Sequence, residues 1–395
     1  MRIVSFGNLP WNDMWKRHQS IVYELSKDSC VDKVIFINPE VWIKDNLKIS
    51  KISQVLNQLS ENGAMIDNVS VYTPISFFPE FLLYGVLRKF KYYFTISKFV
   101  RVLRQGPFIC IINNPYVYAK ECFRSIIDSA DLVIFDLSDD YSEFYAGDQQ
   151  KKMDVLLSEV LQRSDMILAV NEHLKNKYSC FNSNIQVVTN ATNYDNFALT
   201  SYANVEVLDD IKARFDHIVG YSGWINDVRI DTKILDSFTT SKNIAYVFVG
   251  PVSNVIRDTY SSDNVFFIQA VPYSELPNYI HYFDVAIIPF LINGHTKGND
   301  LLKIHDYHAV GKPVVSTRIG GVDRFENLIY IASDTAAFTD SIRKAIAEDS
   351  DEKIRSRQLS AFANSWRSRI KQVKKAINKL YFVKTSGTVF DEPNV

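Results

Sequence analysis

Cysteine is scarce: four in 395 residues. Cys30, Cys110, Cys122 and Cys180 have neither disulfide nor metal-ligand spacing, and three lie in or beside apolar runs. Reduced structural thiols and a cytoplasmic location are expected. Charge of one sign is also missing. A net charge of −1 excludes bulk affinity for nucleic acid or another polyanion. No apolar run reaches the roughly 20 residues of a membrane span. The chain opens directly on an apolar run, Arg2–Phe6, so no signal peptide is expected. Internal repeats and low-complexity tracts are absent, and the seven histidines form no catalytic or metal pattern.

What is present is a large apolar fraction, 47%, ample for two cores. The length fits two domains of about 150–200 residues each. Short apolar runs alternate with helical patterns throughout, which predicts parallel sheets in an α/β fold. In the first half the expected strands are Arg2–Phe6, Lys33–Asn38, Val69–Thr73, Phe108–Ile112, Leu132–Phe135, Met166–Val170 and Gln186–Thr189. In the second they are His217–Tyr221, Ala245–Val249, Val265–Ile268, Val285–Pro289, Pro313–Ser316 and Leu328–Ile331. A polar stretch around 200–210 is the expected linker. Near the C-terminus, Trp366, Ile370, Val373, Ile377 and Leu380 recur at three- and four-residue steps, a packed helix with a solvated basic side.

One segment carries chemistry. Residues 284–323 read as strand, polar loop, helix, strand, with Asn299 as cap of a helix over Asp300–Val310, closed by Gly311 and followed by Pro313. Two residues there break local rules. Lys303 is a cation in the first turn, where the helix dipole disfavours one. Asp306 is a poor helix former in mid-helix. They are three apart and share a face. A phosphate at the helix N-terminus would account for Lys303, and a carboxylate one turn on can accept from two neighbouring sugar hydroxyls. Together they describe a site for a nucleotide diphosphate and its ribose, against the alternative of a solvated Lys–Asp pair. His305 and His308 read as helix-face residues, and His295, in the preceding loop, is the one placed to reach a ligand.

Here the chain resembles a family. Asp306–Val315, D-Y-H-A-V-G-K-P-V-V, resembles the E-x-x-A-x-G-x-P-V-V signature of GT-B-fold glycosyltransferases of the retaining family-four group, with the shorter Asp306 at the ribose-binding acid. Lys three residues earlier and Tyr directly after the acid resemble the bacterial envelope-polysaccharide subgroup. Gly220–Asp231 is similar to the first strand and turn of that family's donor domain, Phe248–Pro251 to its second-strand end, and Asn264–Tyr282 to the stretch carrying the base. Val187–Phe197 and the opening F-G-N-L-P-W-N-D-M-W-K-R-H-Q resemble the corresponding N-terminal segments.

The resemblance implies a GT-B architecture: α/β, with two Rossmann-like doubly wound parallel-sheet domains facing across a cleft. The implied division is 1–200 for the acceptor, 210–360 for the nucleotide sugar, and a helix over 361–395 crossing back to the N-terminal domain. The implied nucleotide-binding residues are Gly223, Lys297, Gly298, Asn299, Lys303, Asp306 and Val271. Gly223 permits close approach of backbone to phosphate. The implied activity moves a sugar from a nucleotide-diphosphate sugar to a glycan or polyprenyl-linked acceptor, with retention and without metal or other cofactor. Three departures stand out. Arg229 is the nearest cation after the Gly223 turn. Gly298 replaces the acid expected eight residues before Asp306. The segment F-D-L-S-D-D-Y-S-E-F (Phe135–Phe144) has acids where many relatives have histidine. Of these, Asp139 and Asp140, with Lys303, are the catalytic candidates, and turn or cap roles suit them equally. The missing acid keeps one alternative open, a non-catalytic partner subunit that binds sugar nucleotides; an epimerase of the same fold, which would need no acceptor, is a further one.

Phe81–Gln105 carries six basic residues and no acid, with Tyr92, Ile96, Phe99, Val100 and Leu103 on one helical face and Lys91, Lys98 and Arg101 on the other. This suits either an anionic membrane surface on the inner face of the plasma membrane or ordinary packing on the N-terminal sheet.

Overall fold

The structure is a computed structural model; it describes residues 1–11, 16–42, 65–66, 68–76, 106–239, 241–292 and 302–385. Two compact units divide the chain. The first is Met1–Thr189 with Arg369–Val395, the second Asn190–Ser368.

The first unit is built on an eight-stranded sheet. In chain order its strands, together with a separate parallel pair, are β1 (Arg2–Phe6), β2 (Lys33–Ile37), β3 (Val41–Trp42), β4 (Met65–Ile66), β5 (Val69–Tyr72), β6 (Ile75–Ser76), β7 (Phe108–Ile112), β8 (Leu132–Leu137), β9 (Met166–Ala169) and β10 (Ile185–Val187). The sheet order is β10-β9-β8-β7-β1-β2-β5-β4, and β3 pairs with β6. All pairs are parallel except β4–β5. The central strands are apolar without alternation because both faces are covered: every residue of β7 and β8 is buried, including Asp136. From β1 the chain runs outward through β2 to β5, then returns to lay β7 on the other side of β1. The order therefore reverses between β1 and β7.

The helix Trp366–Thr385 buries Ile370, Val373, Ile377 and Tyr381, the stripe its periodicity predicts, with Tyr381 rather than Leu380 as the last buried member. Its basic side is not wholly solvated. Lys374 pairs with the buried Asp28 at 2.7 Å and Lys384 with Asp165 at 2.5 Å.

In the second unit, β11 (His217–Ser222), β12 (Ile244–Val249), β13 (Val265–Ile268), β14 (Val285–Ile288), β15 (Val314–Thr317) and β16 (Tyr330–Ala332) form one parallel sheet in the order β13-β12-β11-β14-β15-β16. Here the order reverses between β11 and β14. Each sheet is thus a doubly wound Rossmann-like unit, as the alternating pattern predicts. The polar stretch 200–210 is not a bare linker. It leads into the helix Glu206–Lys212, whose Leu208 and Ile211 are buried in the second unit's core. The boundary falls earlier, at 189/190.

Candidate functional site

Open α/β sheets bind ligands outside the carboxyl ends of their strands, where the strand order reverses. In the second unit that place is the end of β11 beside the end of β14. Ser222 closes β11, and Gly223 follows with φ +133°, a conformation that favours glycine. Gly250, after β12, has φ +143°, and a Cβ on it would collide with the Gly223 carbonyl. The two turns are therefore packed backbone on backbone. Gly223 N–H donates to Val249 at 2.8 Å, and Gly250 N–H to Ile268 at 2.9 Å. Residues 226–231 fold over the end of β14: Leu291 N–H donates to the Arg229 carbonyl at 2.8 Å, and Asp231 N–H to the Pro289 carbonyl at 2.8 Å. The exposed Arg229 guanidinium lies 5.5 Å from the Phe290 ring.

The helix expected over Asp300–Val310 spans Leu302–Ala309. Gly311, at φ +85°, ends it: its N–H donates to His308 and that of Lys312 to Tyr307, both at 2.9 Å, a Schellman closure. Lys303 reaches back to the β11 turn. Its ammonium is 5.4 Å from the centre of the Tyr221 ring, and a Cβ on Gly223 would collide with it. The helix is anchored one turn on by Tyr307, whose hydroxyl accepts from Ser222 N–H at 2.9 Å and lies 3.1 Å from Ser222 Oγ. Burial pushes the Tyr307 phenol well above its ordinary range. Lys297, Gly298 and Asn299, and His295 with them, lie outside the described residues.

Asp306 is 5% exposed. Its Oδ1 accepts from Thr192 Oγ1 at 2.7 Å and from the Tyr273 hydroxyl at 3.2 Å. The solvated Lys–Asp pair considered from sequence is excluded for this carboxylate. Burial, then the Asp306 charge, raise the Tyr273 phenol well above its ordinary value. Val271 is half-buried, two residues before Tyr273, and packs on the second unit's core. His305 and His308, expected on a helix face, are fully buried, with rings 5.1 and 6.0 Å from that of Phe325.

In the first unit the reversal lies between β1 and β7. Asn113, after β7, donates from Nδ2 to Ser5 Oγ at 2.9 Å and to the Phe6 carbonyl at 3.0 Å. One strand further, the acid at the end of β8 is engaged: Arg17 Nε donates to Asp136 Oδ1 at 2.8 Å, with both side chains buried. The other end of Arg17 donates to the Val188 carbonyl. Burial pushes the Asp136 carboxyl up, and the Arg17 charge offsets part of that. Asp140 is tied down by Tyr178 and Lys177, each at 2.7 Å, which gives it a structural post after the strand. Asp139 is exposed and accepts from Ser138 Oγ at 2.9 Å. Sequence reasoning passed over Arg17, Thr192 and Tyr273. The available signal was a cation and two hydroxyls inside segments already singled out for resemblance.

Comparison with known proteins adds relatives of the chain and of its fold. Residues 230–348 match the family model for group 1 glycosyl transferases. The stretch includes Val271, Tyr273, Lys303 and Asp306, and stops short of Gly223 and Thr192. A provisionally named teichuronic acid biosynthesis glycosyltransferase of Bacillus subtilis, TuaH, is 22% identical over 286 residues, 66% of this chain and 70% of that protein. Among solved structures, the HepE protein of Anabaena in complex with UDP and glucose superposes with a TM-score of 0.64 at 12% identity, over 95% of this chain and 99% of that one. Sucrose-phosphate synthase of Thermosynechococcus elongatus superposes with a TM-score of 0.68 at 12% identity, over 97% and 99%.

Proposed function

We infer that this chain, a GT-B-fold protein carrying a group 1 glycosyltransferase domain, moves a sugar from a nucleotide-diphosphate sugar to a glycan or lipid-linked acceptor in envelope-polysaccharide synthesis. One observation carries the reading: the Lys303 ammonium rests against the Gly223 turn, where the second sheet reverses. A cation beside a half-buried glycine turn suits a diphosphate. Uracil is the favoured base, since the Anabaena neighbour was solved with UDP and glucose. The polysaccharide acceptor follows the name of the Bacillus relative.

In this reading Gly223 lets the diphosphate approach the backbone, Lys303 meets the charge that grows on the leaving group, and Asp306 takes the ribose. Catalysis is then mainly electrostatic stabilisation of the departing diphosphate, with retention and without a metal. Of the two acids singled out after β8, Asp139 is the exposed one and takes the sugar-facing role in this reading. Peripheral attachment to the inner face of the membrane belongs to the same reading through residues 81–105, which lie outside the described residues. Among the described residues, no helix is long and apolar enough to cross a membrane.

The test is turnover of UDP-, GDP- and dTDP-sugars with and without a polyprenyl-linked acceptor. Glycosyl transfer to the acceptor is expected. Binding without turnover would identify a sugar-nucleotide-binding subunit, and conversion of the nucleotide sugar alone would identify an epimerase.

A further inference from the structure

Asp306 does not stand alone on its helix. Two hydroxyls donate to its Oδ1, and neither belongs to the helix. Thr192 is fully buried, with its Oγ1 2.7 Å from Oδ1. Its backbone is fixed on both sides: Thr192 N–H donates to the Asn364 carbonyl at 3.2 Å, and its own carbonyl accepts from Trp366 N–H at 2.9 Å. Tyr273 donates from 3.2 Å, and its ring is held 5.0 Å from that of Phe197. Its raised pKa keeps the phenol a donor across the working pH range.

The terminal torsion of an aspartate is soft, so an untethered carboxylate samples a broad range of planes. Two donors on one oxygen, each mounted on fixed backbone or packed ring, remove that freedom. A short side chain needs this more than a long one, because Asp306 cannot adjust its reach by a further methylene. A carboxylate already oriented binds a hydroxyl pair without the cost of being ordered at that moment.

We propose that Thr192 and Tyr273 are positioning residues for the nucleotide-sugar donor: they orient the Asp306 carboxylate toward the ribose hydroxyls. The proposal rests on the reading of Asp306 as the ribose-binding acid. Thr192 lies outside the stretch that matches the family model, so this part of the nucleotide site is supplied by the segment entering the second unit.

The experiment is calorimetric titration of the full chain with UDP and with 2′,3′-dideoxyuridine diphosphate, which lacks both ribose hydroxyls. Thr192→Val, Thr192→Ser, Tyr273→Phe and Asp306→Asn are compared with the parent. The expected result is that Thr192→Val and Tyr273→Phe each weaken UDP by about tenfold, the size of one hydrogen bond to a charged group, while the dideoxy probe is unaffected. Thr192→Ser, which keeps the hydroxyl, restores UDP affinity. Equal losses for both probes, or no loss for UDP, would overturn the proposal, since a purely structural role does not distinguish ribose from dideoxyribose. If Thr192→Val does not fold, Tyr273→Phe decides alone. The underlying reading fails separately: Asp306→Asn would then leave the UDP-to-dideoxy ratio unchanged.

Discussion

Lys303 occupies the space that a side chain on Gly223 would need. The two residues are 80 apart in the chain (303 − 223), and each constrains the other. Gly223→Ala should therefore do two kinds of damage. The φ of +133° strains any L-residue, at about 1–3 kcal/mol, and the new methyl pushes the ammonium off the turn. A lower melting temperature and a reduced kcat are expected together. Because the collision involves a flexible side-chain end, Gly223→Ala and Lys303→Ala should be non-additive in kcat, which a double-mutant cycle measures.

Lys303→Ala by itself should leave nucleotide binding comparatively intact and lower kcat by about 10²–10³-fold, because leaving-group charge is greatest in the transition state. Steady-state kinetics alongside UDP titration separate the two effects. Equal losses in both would remove the leaving-group role.

Arg17→Ala should be among the most destabilising single changes in the first unit. It strands the carboxylate of Asp136, which is 1% exposed. Breaking a buried pair by removing one partner costs about 3–5 kcal/mol. Chemical denaturation followed by a probe in the first unit is the measurement, and Arg17→Ala with Asp136→Ala should recover part of the loss.

Burial holds His18 down to about 4 and His308 down to about 3, from 6.5. A histidine whose folded pKa is depressed binds its proton more readily in the unfolded chain. Its neutral form therefore supports the fold fully above about 6.5, and that support is lost as pH falls toward the folded value. The slope is about 1.4 kcal/mol per pH unit for each histidine once pH is below 6.5. Melting temperature should fall between pH 6.5 and 4, and His308→Phe, which keeps a ring beside Phe325, should flatten that acid limb. An unchanged limb would assign the acid sensitivity elsewhere.

Much of the fold was legible because periodicity is a local property. Strands such as Phe108–Ile112 and Val265–Ile268 announce themselves by unbroken apolar runs, and all thirteen sequence-level strands have counterparts. β3, β4 and β6 escaped because two residues carry no period. The site was legible in part. Lys303 stood out by violating a helix-end rule, and Gly223 by following a strand. The partners were not legible: Thr192 is 114 residues from Asp306, and Arg17 is 119 from Asp136. Hydroxyls and buried ion pairs leave no spacing signal, since only the folded sheet brings them together. Asp140 shows a second kind of hidden partner. Its position after a strand suggests chemistry or a turn role equally, and its bonds to Tyr178 and Lys177, 38 and 37 residues on, are invisible to local pattern.

The first unit is sequence-discontinuous: its last helix follows the whole of the second unit. Residues 190–368 are therefore synthesised before the segment that completes the first unit exists. During synthesis the first sheet must wait, lacking the cations that meet Asp28 and Asp165 and the apolar stripe of Ile370, Val373 and Ile377. The second unit, contiguous in sequence, can mature first. Released chains truncated just before residue 369 should accordingly resist protease across the second unit while remaining cleavable in the first, and supplying the missing helix in trans should close that window of vulnerability.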